Sequence, residues 1–87
     1  MVHVRKEVVF KQVGAKIAYY RRRKGLTQEE LAEASNLSRS ALGRIERGQY
    51  NGNVSLSVLI DIAGGLHIDF ALLLIFSEEE RHMWEDE

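Results

Sequence analysis

The sequence predicts an all-α fold: a bundle of five short helices built around a helix-turn-helix, with a short extra helix at the C-terminus. Three observations predict it. Proline is absent from the 87 residues, so nothing breaks the long helical stretches. Helix-start signals recur along the chain at Thr27, Ser38, Ser55, Asp69 and Ser77. Two of these starts, Thr27-Gln28-Glu29-Glu30-Leu31-Ala32 and Ser38 to Gly48, lie on either side of a turn signal at Ser35-Asn36. Strand signals are weak everywhere, with Met1–Val4 or Val8–Phe10 as the candidates for an extended arm.

The first helix is predicted over about Val8 to Lys24, with Val13, Ile17 and Tyr20 as its inner stripe. Gly25 suits the left-handed position after the helix end, and Leu26 the apolar contact that follows. The second helix covers about Gln28–Ala34. Thr27 caps it and Glu30 reaches back to the Thr27 amide, a capping box. Ala32 is small enough to let another helix cross closely. Asn36 is one of the few non-glycine residues that accept a left-handed turn. The third helix, about Arg39–Arg47, is capped by Ser38, buries Leu42 and Ile45, and stops at Gly48. Capped helix, tight turn and capped helix together make a helix-turn-helix.

Gln49-Tyr50-Asn51-Gly52-Asn53 follows as a polar loop with an Asn-Gly turn signal. The fourth helix starts from Ser55, presents Leu56, Leu59, Ile62 and Ala63, and loosens at Gly64-Gly65. Asp69 caps a fifth helix over Phe70 to about Phe76, and Ser77-Glu78-Glu79-Glu80 is a second capping box that starts a short acidic helix towards Trp84. The whole chain, 1–87, reads as one domain with its core over about 8–76 and an acidic segment at 77–87.

Composition narrows the function classes. A chain of this size buries about 60–65% of its unfolded surface, a modest core that dimerisation would help. Cysteine is absent, which excludes disulfides and thiolate metal sites and fits a reducing cytoplasm. No apolar run approaches the ~20 residues of a membrane span, and the N-terminus lacks the apolar stretch of a signal peptide. The net charge of −1 hides a strong asymmetry. Residues 1–53 carry 11 of the 12 Lys/Arg against five carboxylates, a net +6, whereas residues 54–87 carry Arg81 against eight, a net −7. The basic half holds the helix-turn-helix. Duplex binding draws on local phosphate neutralisation, so the distribution points to double-stranded DNA as partner, with the acidic half facing away.

Enzymatic chemistry finds no support. Ser38, Ser40 and Ser57 have no glycine-flanked elbow or His/Asp companions, and no phosphate-cradling glycine loop is present. His3, His67 and His82 lie far apart without carboxylate or cysteine companions at ligand spacing, so neither a metal nor a cofactor is expected.

Lys24-Gly25-Leu26-Thr27-Gln28-Glu29-Glu30-Leu31-Ala32, then Ile45-Glu46-Arg47-Gly48, then Leu59-Ile60-Asp61-Ile62-Ala63, resembles the lambda-repressor/Cro-like (XRE) DNA-binding domains, from about Val13 to Leu74. The resemblance implies that the outer face of the third helix enters the major groove. Arg39, Ser40, Gly43 and Arg44 are then the base-contacting positions. Either arginine can bond a guanine's O6 and N7 in bidentate fashion, or take a phosphate instead. Gly43 departs from the pattern because it has no side chain; our reading is that it permits close approach to the groove wall or a thymine methyl. Gln28, Thr27, Ser38, Arg47, Tyr50 and Asn51 are the implied phosphate contacts, although the loop around Tyr50 is about two residues longer than the family's usual connection. Arg21 and Glu46 match a structural ion pair. His67 stands where the family has glycine or another turn residue.

Phe70-Ala71-Leu72-Leu73-Leu74-Ile75-Phe76 is apolar on every side. A helix without a polar face is buried all round or shares an interface, so a homodimer through Phe70, Leu73, Leu74 and Phe76 is expected. The functional expectation is a sequence-specific regulator of transcription, as a homodimeric repressor on a near-palindromic operator. The alternative is an antitoxin-like interaction module whose C-terminal segment, with Met83 and Trp84, docks on a partner protein.

Overall fold

The computed structural model describes residues 4–49 and 54–85. In chain order these form α1 (Lys6–Arg23), α2 (Gln28–Ala34), α3 (Arg39–Glu46), α4 (Leu56–Leu66), a five-residue 3-10 helix (Phe70–Leu74) and α5 (Glu78–His82). None of these helices is long and apolar enough to cross a membrane.

The helix ends follow from local chemistry. Thr27, Ser38 and Ser55 each accept a hydrogen bond from the backbone amide three residues on, which satisfies one of the orphan donors of the first turn. Four helices close with the same left-handed turn, at Gly25 (φ 71°), Asn36 (59°), Gly48 (71°) and His67 (56°). After α1, the Leu26 amide donates to the Arg21 carbonyl at 3.1 Å and the Gly25 amide to Arg22 at 3.0 Å, the Schellman pairing. His67 therefore does the work of a turn glycine, at the steric cost of its Cβ.

Ile17, Leu31, Leu42, Ile45, Ile62, Leu66 and Leu73 are fully buried and form the centre of the core. Tyr20, Leu26, Phe70 and Phe76 pack partly buried against it. Glycines set two of the helix crossings. A Cβ on Gly14 of α1 would meet the Ile45 and Glu46 carbonyl oxygens at 2.3 and 2.6 Å, so α1 and α3 touch backbone to backbone. A Cβ on Gly65 would lie 2.8 Å from Ser35 Oγ and 3.1 Å from Leu31 Cδ1. Gly65 is thus the close approach of α4 to α2, whereas Gly64 faces open space.

Phe70 to Phe76 differs from its expectation. It is a 3-10 turn over Phe70–Leu74 followed by extended backbone at Ile75. Side chains three apart eclipse in a 3-10 helix, so Phe70 and Leu73 point the same way, into the core. Leu73 is fully buried and cannot meet a second protomer. Phe70 and Phe76 are also drawn onto the protein's own core. Leu74 and Ile75 remain exposed, at 41% and 61%.

The acidic segment folds back onto α1 instead of projecting outward. Gln12 clamps it: its Nε2 donates to the Glu80 carbonyl at 3.0 Å, and its Oε1 accepts from Trp84 Nε1 at 2.7 Å. The Glu80 carboxylate pairs with Lys16 Nζ, and the Trp84 ring meets Phe76 edge-on at 5.0 Å. At the far end, the Arg5 amide donates to the Trp84 carbonyl at 2.8 Å, and Val4 forms an antiparallel bridge with Glu85. Val4 is thus all of the expected N-terminal arm that pairs in extended form among the described residues, because Val8–Phe10 belong to α1.

Candidate nucleic-acid interface

The site is built on α2 and α3, held at a fixed angle by a three-helix polar tie. Arg21 of α1 grips Glu46 of α3 in bidentate fashion, Nε to Oε2 at 2.7 Å and Nη2 to Oε1 at 3.1 Å. Its Nη1 also donates to the Leu26 carbonyl at 3.0 Å. The two side chains are only 11% and 5% exposed, so each charge depends on the other. Gln28, the first residue of α2, donates from Nε2 to the same Glu46 Oε1 at 3.0 Å. One carboxylate therefore joins α1, α2 and α3.

Gln28 has a structural bond that sequence reasoning missed. Its place at a helix start led only to the implied phosphate contact, because its bonding partner lies 18 positions away. Thr27 completes the expected capping box, accepting from the Glu30 amide at 3.0 Å while its own amide donates to Glu30 Oε1 at 2.9 Å. The Thr27 amide and hydroxyl hold the Glu30 carboxyl below the usual carboxylate range. Ser38 caps α3 through the Ala41 amide at 3.0 Å.

On α3, Leu42 and Ile45 are buried, and Arg39, Ser40 and Arg44 are exposed on the opposite side. Arg44 Nη1 lies 3.4 Å from Ser40 Oγ, one helical turn back on the same face. Arg47 is exposed at the C-cap, its Nε donating to Gln49 Oε1 at 3.0 Å. Gly43 is buried, beneath the side chains of Arg47 and Gln28, rather than open to the outer face. Tyr50 and Asn51 lie outside the described residues.

The helix-turn-helix family model matches residues 17–73. The chain is 47% identical over 62 residues to the immunity repressor protein of Bacillus phage phi105, covering 71% of this chain and 42% of that repressor. It is 42% identical over 60 residues to an uncharacterised HTH-type transcriptional regulator of Sinorhizobium fredii, covering 68% of this chain and 78% of the relative. The chain spans about two fifths of the length of the phage repressor and most of the shorter regulator. Among solved structures, it superposes on the restriction-modification controller protein C.AhdI of Aeromonas hydrophila with a TM-score of 0.70 at 41% identity, covering 74% of this chain and 94% of that one. The clp gene regulator ClgR of Corynebacterium glutamicum gives a TM-score of 0.72 at 32% identity, covering 86% and 73%. The chain belongs to this XRE-type helix-turn-helix family of DNA-binding transcription regulators.

Proposed function

We propose that the chain is a homodimeric repressor that binds a near-palindromic operator with α3 of each protomer in the major groove, acting in the cytoplasm by binding and not by catalysis. One observation carries the reading. Arg39, Ser40 and Arg44 share the solvent face of α3, while Arg21, Glu46 and Gln28 fix that helix against α1 and α2. A rigidly held helix with two arginines outward is suited to reading guanine edges. Thr27, Gln28, Ser38 and Arg47 border this face and are assigned to phosphates. The repressor role is supported by the similarity to the phage immunity repressor. The dimer rests on exposed apolar side chains outside the core: Leu56 and Ile60, one turn apart on α4, and Leu74 on the 3-10 turn packed against α4.

Selection of bound duplexes from a random library, followed by titration against salt, tests the proposal. If each protomer neutralises four or five phosphates, the log–log slope for the dimer is about −7 to −9. Arg39→Ala and Arg44→Ala are each expected to lose about 1–3 kcal/mol on the selected duplex and little on unrelated DNA. A slope near about −2, or equal losses on every duplex, counts against base reading by α3.

A further inference from the structure

Gly43 lies between the exposed Ser40 and Arg44 of α3 without a side chain of its own, yet the space beside it is filled. A Cβ at this position would lie 3.2 Å from Arg47 Nη1, 3.9 Å from Arg47 Cζ and 3.9 Å from Gln28 Nε2. Residues four apart share a helix face, and helical side chains lean towards the N-terminus. Arg47 therefore runs back along α3 and lays its guanidinium over the bare backbone of residue 43, beside the Gln28 amide of α2. Both groups are held there. Arg47 Nε donates to Gln49 Oε1 at 3.0 Å, and Gln28 Nε2 donates to Glu46 Oε1 at 3.0 Å. The Nη edge of Arg47 forms no ion pair with a carboxylate among the described residues, although the side chain is exposed.

We propose that Gly43 is a positioning residue, a seat for the Arg47 guanidinium, and that Arg47 so seated forms with Gln28 a two-sided cradle for one DNA phosphate. The proposal rests on the DNA-binding reading above and deepens it, since it removes Gly43 from the base-contacting set and makes its effect act through Arg47. Phosphate is the favoured ligand because of how the guanidinium lies. A base edge at the groove floor needs a side chain that projects from α3, and Arg39 and Arg44 stand at exposed positions on its outer face. Arg47 instead lies back along α3 at the α2–α3 boundary, with Nη1 over residue 43 and the Gln28 amide beside it. A guanidinium and an amide donor side by side at the edge of the recognition helix suit the oxygens of the DNA backbone.

Gly43→Leu, Arg47→Ala and the double variant test this in the full chain. Leucine at 43 occupies the seat and favours helix, so the melting temperature is expected not to fall. Each single variant is expected to weaken duplex binding on the order of tenfold per protomer, on every sequence alike, and to lower the salt slope by about one phosphate per protomer. The double variant is expected to bind no worse than either single. A further loss from Gly43→Leu in the Arg47→Ala background, or a loss confined to one base pair, overturns the proposal. Wild-type affinity in Arg47→Ala does the same. The seat is also readable without DNA, from the Arg47 Nε–Hε signal in 15N spectra. This signal is expected to be resolved in the wild type and averaged in Gly43→Leu; identical signals dismiss the seat. A wild type with a resolved signal but no duplex binding counts against the DNA reading, and with it the phosphate cradle, and leaves the seat standing.

Discussion

Gly14 of α1 lies so close beneath α3 that a Cβ there would stand 2.3 Å from the carbonyl oxygen of Ile45. The obstacle is backbone, which cannot rotate aside as a side chain would. Gly14→Ala is therefore expected to destabilise the fold, despite alanine's better helix propensity, by about 1–3 kcal/mol or more through overpacking. Thermal unfolding checks it. A melting temperature at or above wild type would show that α1 and α3 have room to separate.

Arg21 and Glu46 supply the second structural test. Removing one partner leaves a nearly buried charge unpaired, so Arg21→Ala is expected to cost about 3 kcal/mol. The melting temperature should fall first, with DNA binding following as a consequence. Glu46→Gln should do two things: weaken the Arg21 contact and disturb the orientation of Gln28. Chemical denaturation of both variants, beside DNA binding at a temperature where each is folded, separates the effects. Unchanged stability of Arg21→Ala would mean that the pair contributes nothing net.

The parts legible in the sequence are those decided locally. Helix starts at Thr27, Ser38, Ser55 and Ser77, and left-handed turns at Gly25 and Asn36, depend on residues within a few positions of one another. The exposed face of Arg39, Ser40 and Arg44 was legible too, because it is the complement of Leu42 and Ile45 on a helix of known period. What failed was decided at long range. In sequence, Gly14 is a mid-helix glycine with a propensity cost, and only the crossing of α1 over α3 gives it a purpose. The Gln12–Trp84 bond joins residues 72 apart, so the docking of the C-terminal segment onto α1 had no local signal. Leu73 was misplaced because seven apolar residues read as an α-helix, whereas a 3-10 turn sends Phe70 and Leu73 to one side.

The docking of α5 carries its own pH dependence. The hydrogen bond from Lys16 and, after it, the Ser77 amide hold the Glu80 carboxyl below the usual carboxylate range. A carboxylate with a depressed folded pKa contributes stability that is fully present above its unfolded value and is lost as pH falls through the folded one. The segment should stay docked from neutral pH down to the ordinary carboxylate range and loosen below it. The chain has one tryptophan, Trp84, within this segment, so its fluorescence reports the release. Glu30, held down by Thr27, titrates in the same acid range but at the start of α2. Glu80→Gln should therefore remove much of the acid change in Trp84 emission while leaving far-ultraviolet helicity nearly as in wild type. An acid titration of Trp84 identical in both proteins would rule out Glu80 as the pin.

The dimer surface can be tested by contrasting neighbours in one short turn. Leu74 is 41% exposed and Leu73 is fully buried, one residue earlier. A glutamate at Leu74 stays in water, so Leu74→Glu should fold, as should Ile60→Glu on the exposed edge of α4. If these side chains meet a second protomer, either charge places a carboxylate in an apolar contact where burying a Leu or Ile is worth about 1.5–3 kcal/mol. Both variants should then sediment as folded monomers at concentrations where the wild type is dimeric. Each should lose affinity for a two-half-site operator, with half-sites about 34 Å apart, much more than for a single half-site. Leu73→Glu should behave differently, because it buries an unpaired charge in the core and unfolds the chain before any question of assembly arises. Folded Leu74→Glu and Ile60→Glu proteins that remain dimeric would move the interface elsewhere. A wild type that stays monomeric at micromolar concentration, and binds one half-site as tightly as two, would remove the dimer altogether.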